Sequence, residues 1–485
     1  MRLSGWAMSS IAIAMTGCAH PPEKDRARQW LEDTSYTASA PGAQGAIDAG
    51  HDAWWESLGG DPLHQLVRMG LSRNLDIAIA LTRVAEARAG ATAQGSALWP
   101  ALSMHGAYVN EQSGLPQPVK QGRPDTRVWQ AALNLGWEVD VFGRNRMASD
   151  AATQDVLRSD AGVAGARLVL ASEIATQYVL RQGAMARLQL MDQLIGAQSA
   201  VLRTVEHRAS EGEASAIQAA AARAQLAELR AQRQPLLTLR DVTRARLLTL
   251  TVATPQEVDR LLAAAPHEPL HAVPPPSVPP GQPLALLERR PDLMAARTAW
   301  LAEQKRLSVA RTDMLPRFFL SLLTGRQDLR LNGMDLSPAS FQETALVFAL
   351  PLFNAGRVQA GIERQEAVLQ RAALQYEQAA RRAVEDVESA LSDFKHARAR
   401  AADMAHVTDA RQLAAHLGER LFDEGQIGAA DRLALKLAQL AAQLNQTEST
   451  ERAWLSRIQL HRAMGGGWQT APSHDLEVVS QESRP

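Results

Sequence analysis

Proline is absent from two stretches of this chain, residues 125–234 and 352–471, although 24 prolines occur elsewhere in its 485 residues. A proline inside a helix removes a hydrogen bond and clashes with the preceding turn, at a cost of about 3 kcal/mol or more. Stretches of 110 and 120 residues without it, rich in Ala, Leu, Arg, Gln and Glu, predict helices longer than ordinary globular domains contain. In the first, Leu157, Ala161, Ala164, Leu168, Ala171, Ala175 and Tyr178 recur at alternating spacings of four and three. In the second, Leu369, Ala373, Tyr376, Ala380, Ala383, Val387, Ala390 and Phe394 do the same. These are heptad seams with mostly alanine knobs, so neighbouring helices can approach closely. A helix from about Arg144 to Arg208 would run roughly 100 Å. The shortage of aromatic residues, 8 Phe, 4 Tyr and 10 Trp, fits such helices better than it fits a thick core.

The two spans belong to an internal repeat. Leu71–Pro100 aligns with Leu287–Pro316 at a constant shift of 216, pairing Arg73 with Arg289, Asp76 with Asp292 and Pro100 with Pro316. Further on, Phe142-Gly143-Arg144 corresponds to Phe353-Asn354-Ala355-Gly356-Arg357, and Glu211-Gly212 to Glu424-Gly425. Each half reads as a helix, two strands and a pair of long helices joined at a glycine. The expected organisation is a signal segment 1–17, an N-terminal tail 18–70, a first half 71–250, a Pro-rich linker 251–286, a second half 287–468 and a C-terminal tail 469–485.

Between helices the period becomes alternating. Trp129, Ala131, Leu133, Leu135, Trp137 and Val139 share one face, against Gln130, Asn134, Glu138 and Asp140. A membrane-spanning strand needs this pattern, apolar toward lipid and polar toward a lumen, with Trp at the interfaces. Trp129, Leu133, Leu135 and Trp137 are therefore the candidate lipid face. Leu346, Phe348, Leu350 and Leu352 alternate more weakly in the second half, and partner strands fall near 101–111 and 317–329. Residues 112–126 and 330–339, with Gly, Pro, Asn and Asp, read as loops. The alternative is a soluble sheet with one buried face.

The first residues read as an address. Arg2, an apolar run from Trp6 to Met15, and Met15-Thr16-Gly17-Cys18 follow the order of a bacterial lipoprotein signal, with Cys18 as the acylated N-terminus. Cys18 is the one cysteine, so no intrachain disulfide or CxxC site exists. A formal charge of −1 gives none of the blanket positive surface used in non-specific nucleic-acid binding. No stretch reaches the ~18 apolar residues of a spanning helix, so any crossing must use strands. Four strands cannot close a barrel, and helices this long cannot cover both flanks within one chain. A cyclic oligomer sharing one barrel and one helical tube solves both problems.

The chain resembles the outer-membrane efflux factors of the TolC superfamily, specifically the NodT-type lipoprotein channels of tripartite systems. The matching segments are Trp54-Trp55 with Asp61-Pro62-Leu63 and Asn74-Leu75-Asp76; Trp137 to Arg144; Leu286 to Asp292; Pro351-Leu352-Phe353 with Gly356-Arg357; and Gly465-Gly466-Gly467-Trp468. The resemblance implies a mainly α fold with a transmembrane β-barrel part: a homotrimer sharing twelve strands and a long periplasmic α-barrel. It also implies a periplasmic adaptor and an inner-membrane pump as partners, and no cofactor. By the same resemblance, the helix turns at the periplasmic tip contact the adaptor, which assigns Arg208, Gly212, Ser215, Gly425 and Gly428 to docking. Leu421 and Gly428 stand where the family has Arg and Ser. Glu211, Glu213, Asp423, Glu424 and Asp431 make the tip acidic, and three copies would ring a narrow opening with carboxylates. Alternatively, they are solvated charges at helix ends.

No enzyme motif is expected to work. His267-Glu268-Pro269-Leu270-His271 matches a zinc-protease pattern that requires a helix, and Pro269 lies inside it. His396, His406 and His416 recur every ten residues, a spacing that shares no helix face. The rival non-enzymatic reading is a lipid-anchored periplasmic coiled-coil scaffold or adaptor, but an adaptor needs one helical hairpin, not two matched halves. In an efflux conduit, the pump would choose the cargo.

Overall fold

The computed structural model describes residues 25–36, 54–112, 114, 116, 125–264, 274–278, 282–331 and 334–466. Cys18, the His267–His271 stretch and Trp468 lie outside them. The helices are α1 (Arg26–Asp33), α2 (Glu56–Arg73), α3 (Leu75–Ser96), α4 (Arg144–Ser210), α5 (Ala216–Thr251), α6 (Pro255–Ala263), α7 (Leu286–Arg289), α8 (Pro291–Thr312), α9 (Arg357–Asp423) and α10 (Ala429–Ala463). The strands are β1 (Ala101–Glu111), β2 (Thr126–Val139), β3 (Arg317–Leu331) and β4 (Met334–Ala349). Both α4 and α9 contain 67 residues, roughly 100 Å of helix. Of the expected seams, Ala161 to Tyr178 and Tyr376 to Phe394 are buried, whereas Leu157 is exposed. Pro235 lies inside α5, so the helix passes the proline that bounded the sequence reading.

The long helices form a layer in the order α5, α4, α10, α9. Nearer the sheet, α3 and α8 take the flanking places against α4 and α9, and α8 also packs on α4. Thus α3 continues the line of α5, and α8 that of α10. The two junctions are built alike. Asn74 caps α3 through its side-chain oxygen, while its amide nitrogen donates to the Leu250 carbonyl at 3.0 Å. At the repeat-related position, Arg290 precedes α8 and donates to the Ala463 carbonyl at 3.1 Å. Each side chain satisfies a carbonyl that the end of a helix leaves free.

Val252 and Gly465 end α5 and α10 at repeat-related positions, with φ of 49° and 74°. That conformation crowds a β-branched residue and suits glycine. Val252→Gly is therefore expected to raise stability by about 1 kcal/mol, read as a higher unfolding midpoint, despite the added freedom of the unfolded chain.

Of the stretch 18–70, expected as a tail, the described residues 25–36 and 54–70 contribute to the cores instead. Ala27 and Leu31 of α1 join Trp300, Tyr376 and Ala380, while Trp54, Trp55, Leu63 and Leu66 pack with Ile174, Tyr178 and Leu247. The Trp54 indole stacks on His461 and donates to the Gly466 carbonyl at 3.3 Å. This contact explains why a Trp pair near the start and a glycine run near the end belong to one pattern. The boundary at residue 71 falls inside α2, and the linker 251–286 contains α6.

The sheet is antiparallel in the order β1-β2-β3-β4. Residues 330–339, expected as a loop, are mostly strand. The β3–β4 hairpin pairs Leu331 with Met334, and two residues, Ser337 and Pro338, oppose the single Asp328 in a bulge. The bulge accommodates a proline, which has no ladder N–H to give. Strand-to-helix turns launch α4 and α9 from Gly143 and Gly356, both at positive φ. Asp140 accepts hydrogen bonds from the Asn145 and Arg146 backbone at 3.1 and 2.9 Å, and Asn354 accepts one from Val358 at 3.3 Å. The hairpin registers align Phe142 with Ala355 rather than Phe353, because Gly136 and Ala349 hold equivalent places opposite Ala101 and Arg317.

Candidate functional site

Both helix turns that the sequence assigns to the tip lie at the same end, since α4 and α9 leave the sheet in parallel and have equal length. In the first, Gly212 has φ of 80°, and Ser215 caps α5 through a reciprocal pair with Gln218. Arg208 stands 3.7 Å from Glu213, and His207 3.3 Å from Glu211. In the second, Gly425 has φ of 75°, and Gly428 leaves the cap to Asp431, whose carboxylate accepts the Gly428 N–H at 3.4 Å. Glu424 accepts a hydrogen bond from Gln426 at 3.0 Å. All five candidate ring carboxylates are exposed in the single chain. Glu211, Glu213, Glu424 and Asp431 also make local contacts at the helix ends.

The second turn holds a cation that sequence reasoning missed. Leu421 stands where the family has arginine, but Arg432 comes from α10, 4.3 Å over the Phe422 ring and 3.5 Å from Glu419. Close beneath, Gly418 lets the Leu435 side chain lie against the helix backbone. The first turn carries Ala209, Ala214, Ala219 and Ala222 at the corresponding places. The second turn is thus packed by Arg432 on Phe422 and by Leu435 on Gly418, whereas the first is tied across its arms by Arg223, which donates to Glu206 at 2.9 Å. No spacing signal points to Arg432, because its partners come from the other arm of the hairpin.

Residues paired across an antiparallel sheet share a face. Trp129, Leu133, Leu135 and Trp137 therefore lie on one face with Tyr108, Met104, Leu102, Leu320, Leu322, Leu346 and Phe348. On β2 the apolar band reaches Trp129, whereas on β3 it ends sooner, since Arg326 pairs with Ala131 and Asp328 with Trp129 on the same face. At its other edge the Trp137 indole donates to the Leu98 carbonyl at 3.1 Å. The eight residue steps from Trp129 to Trp137 span roughly 27 Å before tilt, close to the apolar height of an outer-membrane barrel. The opposite face carries Asn134, Gln130, the Ser103–His105 contact at 3.0 Å, and Glu138 with Arg317 at 3.0 Å.

Midway along the helical layer, α4 and α10 enclose an ion pair. Arg187 donates to both carboxylate oxygens of Glu451, at 3.2 and 3.0 Å, with only 14% and 8% of the two side chains exposed. Gly183 makes the room: a Cβ there would overlap a Glu451 oxygen at 1.6 Å. Burial pushes the Glu451 carboxyl up to about 7; Arg187 opposes that rise, and Glu448 adds to it. Gly183 is one of four glycines inside α4, with Gly162, Gly165 and Gly196, so nothing in the sequence singles it out.

No helix among the described residues is long and apolar enough to cross a membrane, and no His/Cys/Asp/Glu group among them could hold a metal ion.

The family model for outer membrane efflux proteins matches residues 66–253 and 283–466, one segment in each half. The outer membrane protein OprJ of Pseudomonas aeruginosa is 26% identical, over 98% of both chains. The cation efflux system protein CusC of Escherichia coli O6:H1 is 24% identical, over 95% of this chain and 98% of its own. Among solved structures, the outer-membrane channel OprN superposes with a TM-score of 0.78 at 24% identity, over 93% of this chain and 99% of its own.

Proposed function

Because the chain belongs to the outer membrane efflux protein family, and is thus an outer-membrane channel subunit for export, we propose that it works as a homotrimer, engaged from the periplasm by an adaptor protein and an inner-membrane pump. The observation that carries this reading is that both layers are open. Among the described residues, the sheet ends in unpaired edges on β1 and β4, and no further long helix lies outside α5 and α9 in the helical layer. Unpaired strand edges are not tolerated in lipid, so twelve strands from three copies close the barrel. The band between Trp129 and Trp137 then faces lipid, and the Glu138–Arg317 face lines the lumen. Acylated Cys18 anchors the chain to the same membrane.

The tip is the docking end. Arg208, Gly212, Ser215, Gly425 and Gly428 form the turns offered to the adaptor, and Arg432 supplies the guanidinium that position 421 lacks. Glu211, Glu213, Asp423, Glu424 and Asp431 give the aperture its negative field, which favours cations. The scaffold reading has no use for two matched hairpins attached to a sheet with one apolar face.

The test is single-channel recording of the purified protein in planar bilayers. A cation-preferring pore of trimeric mass is expected, and Asp423→Ala with Asp431→Ala should lower the cation preference at least two-fold. Unchanged selectivity in that variant would remove the carboxylate ring. A monomer without conductance would overturn the channel reading.

A further inference from the structure

Beyond the apolar band, the Trp129 face of the sheet changes character. Read across the strands, its successive rows are Gly106–Ala131–Arg326–Ser340, then Tyr108–Trp129–Asp328, then Asn110–Arg127–Arg330–Asp335. On the opposite face, the row between the last two is Val109–Val128–Leu329–Leu336. Polarity is thus reversed at this end of the sheet, with the charges on the Trp129 face and aliphatic side chains on the other. At the end nearer the helices, the Trp129 face shows Leu102, Trp137, Val139, Phe318 and Phe348, none of them charged. A sheet that merely emerged into water would have no reason to sort its arginines to one face and one end.

Arg127 and Arg330 are paired directly across β2 and β3. Side chains in such pairs lie about 5 Å apart, and like charges there repel. Asp335 pairs with Arg330, whereas Arg127 reaches only the Asn110 side-chain oxygen, at 3.4 Å. The Arg326 side chain has no hydrogen bond or ion pair among the described residues. All three arginines are exposed, and with Asp328 and Asp335 they leave these rows with one excess positive charge per chain. Arg127 stands two residues past Trp129, roughly 7 Å along a strand and about the depth of a headgroup layer. Arg326 lies as far on the near side of Trp129, where a long stem lets the guanidinium rise to the same layer.

Resting on the barrel reading, which turns this face to lipid with the hairpin ends outermost, we propose that Arg127, Arg330 and Arg326 bind the phosphates of a phosphorylated glycolipid of the outer leaflet, one site per subunit. A guanidinium offers paired N–H donors that match two phosphate oxygens. A phosphate shared by Arg127 and Arg330 converts their mutual repulsion into a common contact. Tyr108 and Trp129, in the row beneath, are amphipathic rings at the border between that headgroup and its acyl chains.

The test measures binding of bis-phosphorylated lipid A, and of the same lipid stripped of its phosphates, to the full-length protein purified in mild detergent. The native protein is expected to bind the phosphorylated form and not the stripped one. Each arginine near an anionic lipid surface contributes about five-fold in affinity, so Arg127→Gln should weaken binding about five-fold and Arg127→Gln with Arg326→Gln about 25-fold. Asp328→Asn removes a competing carboxylate and should strengthen it. Conductance of the double variant in planar bilayers should match the native protein, because neither side chain faces the lumen. Equal affinity of native protein and double variant, equal binding of the stripped lipid, or equal binding of phosphatidylglycerol vesicles overturns the lipid site and leaves a conducting channel standing. A native protein that neither inserts nor conducts overturns the barrel reading, and the site with it.

Discussion

Replacing Arg187 by methionine is expected to destabilise the protein by roughly 2–3 kcal/mol more at pH 9 than at pH 6. Glu451 already has its folded pKa at about 7, above its ordinary 4.5, because burial disfavours its charge more than Arg187 favours it. A raised carboxyl contributes stability that is fully present below the unfolded value and is lost as pH rises through the folded one. In the native protein that loss runs from about pH 4.5 to about 7 and then stops. Without Arg187 the folded pKa rises further, so the loss continues above pH 7 at about 1.4 kcal/mol per pH unit. Unfolding midpoints of the detergent-purified protein, taken from pH 5 to 9, would show the two curves diverging only above pH 7. Glu451→Gln should remove the slope between pH 4.5 and 7 altogether. Parallel curves for native protein and Arg187→Met would mean that the pair is bonded but not electrostatically isolated.

Gly465→Val should cost about 2–4 kcal/mol and lower the yield of assembled protein. At φ of 74° a side chain is strained, and here the Cβ would also lie 2.7 Å from the Arg289 carbonyl oxygen and 3.0 Å from the Arg290 side chain. The obstruction is mostly backbone, at the place where Arg290 ties α8 to α10, so it cannot swing aside as a flexible side chain would. Val252, the repeat-related residue, already tolerates a β-branched side chain at positive φ, so the cost at 465 is chiefly steric. Thermal unfolding of the variant checks it. A midpoint within a degree of the native protein would show that the junction is loose.

Most of the architecture was legible because it is local. Heptad seams depend only on residues three and four apart, and the glycines that turn the chain at 212 and 425 act on their own backbone. The β1 boundaries and the Trp129–Trp137 face followed from alternation alone. The reading failed at the β3–β4 hairpin, where Pro338 signalled a loop. A bulge absorbs that proline, and only the partner strand reveals the bulge. It also failed for residues 54–70, whose Gly59, Gly60 and Pro62 disguise a kinked helix that owes its place to contacts with α4.

The candidate site divides in the same way. The tip turns are visible as motifs, yet Arg432 is not, since its place over Phe422 depends on how two antiparallel helices come together. Sequence by itself determined helix lengths, the repeat, the turns and the strand faces, all of which rest on periodicity and on backbone preferences near each residue. Only the tertiary structure decided which charges are buried. Glu451 is an ordinary carboxylate in sequence. Burial pushes its carboxyl up to about 7 against the pull of Arg187, in a seam where Gly183, more than 260 residues earlier, leaves room for it, and burial is a property of the seam and not of the residue.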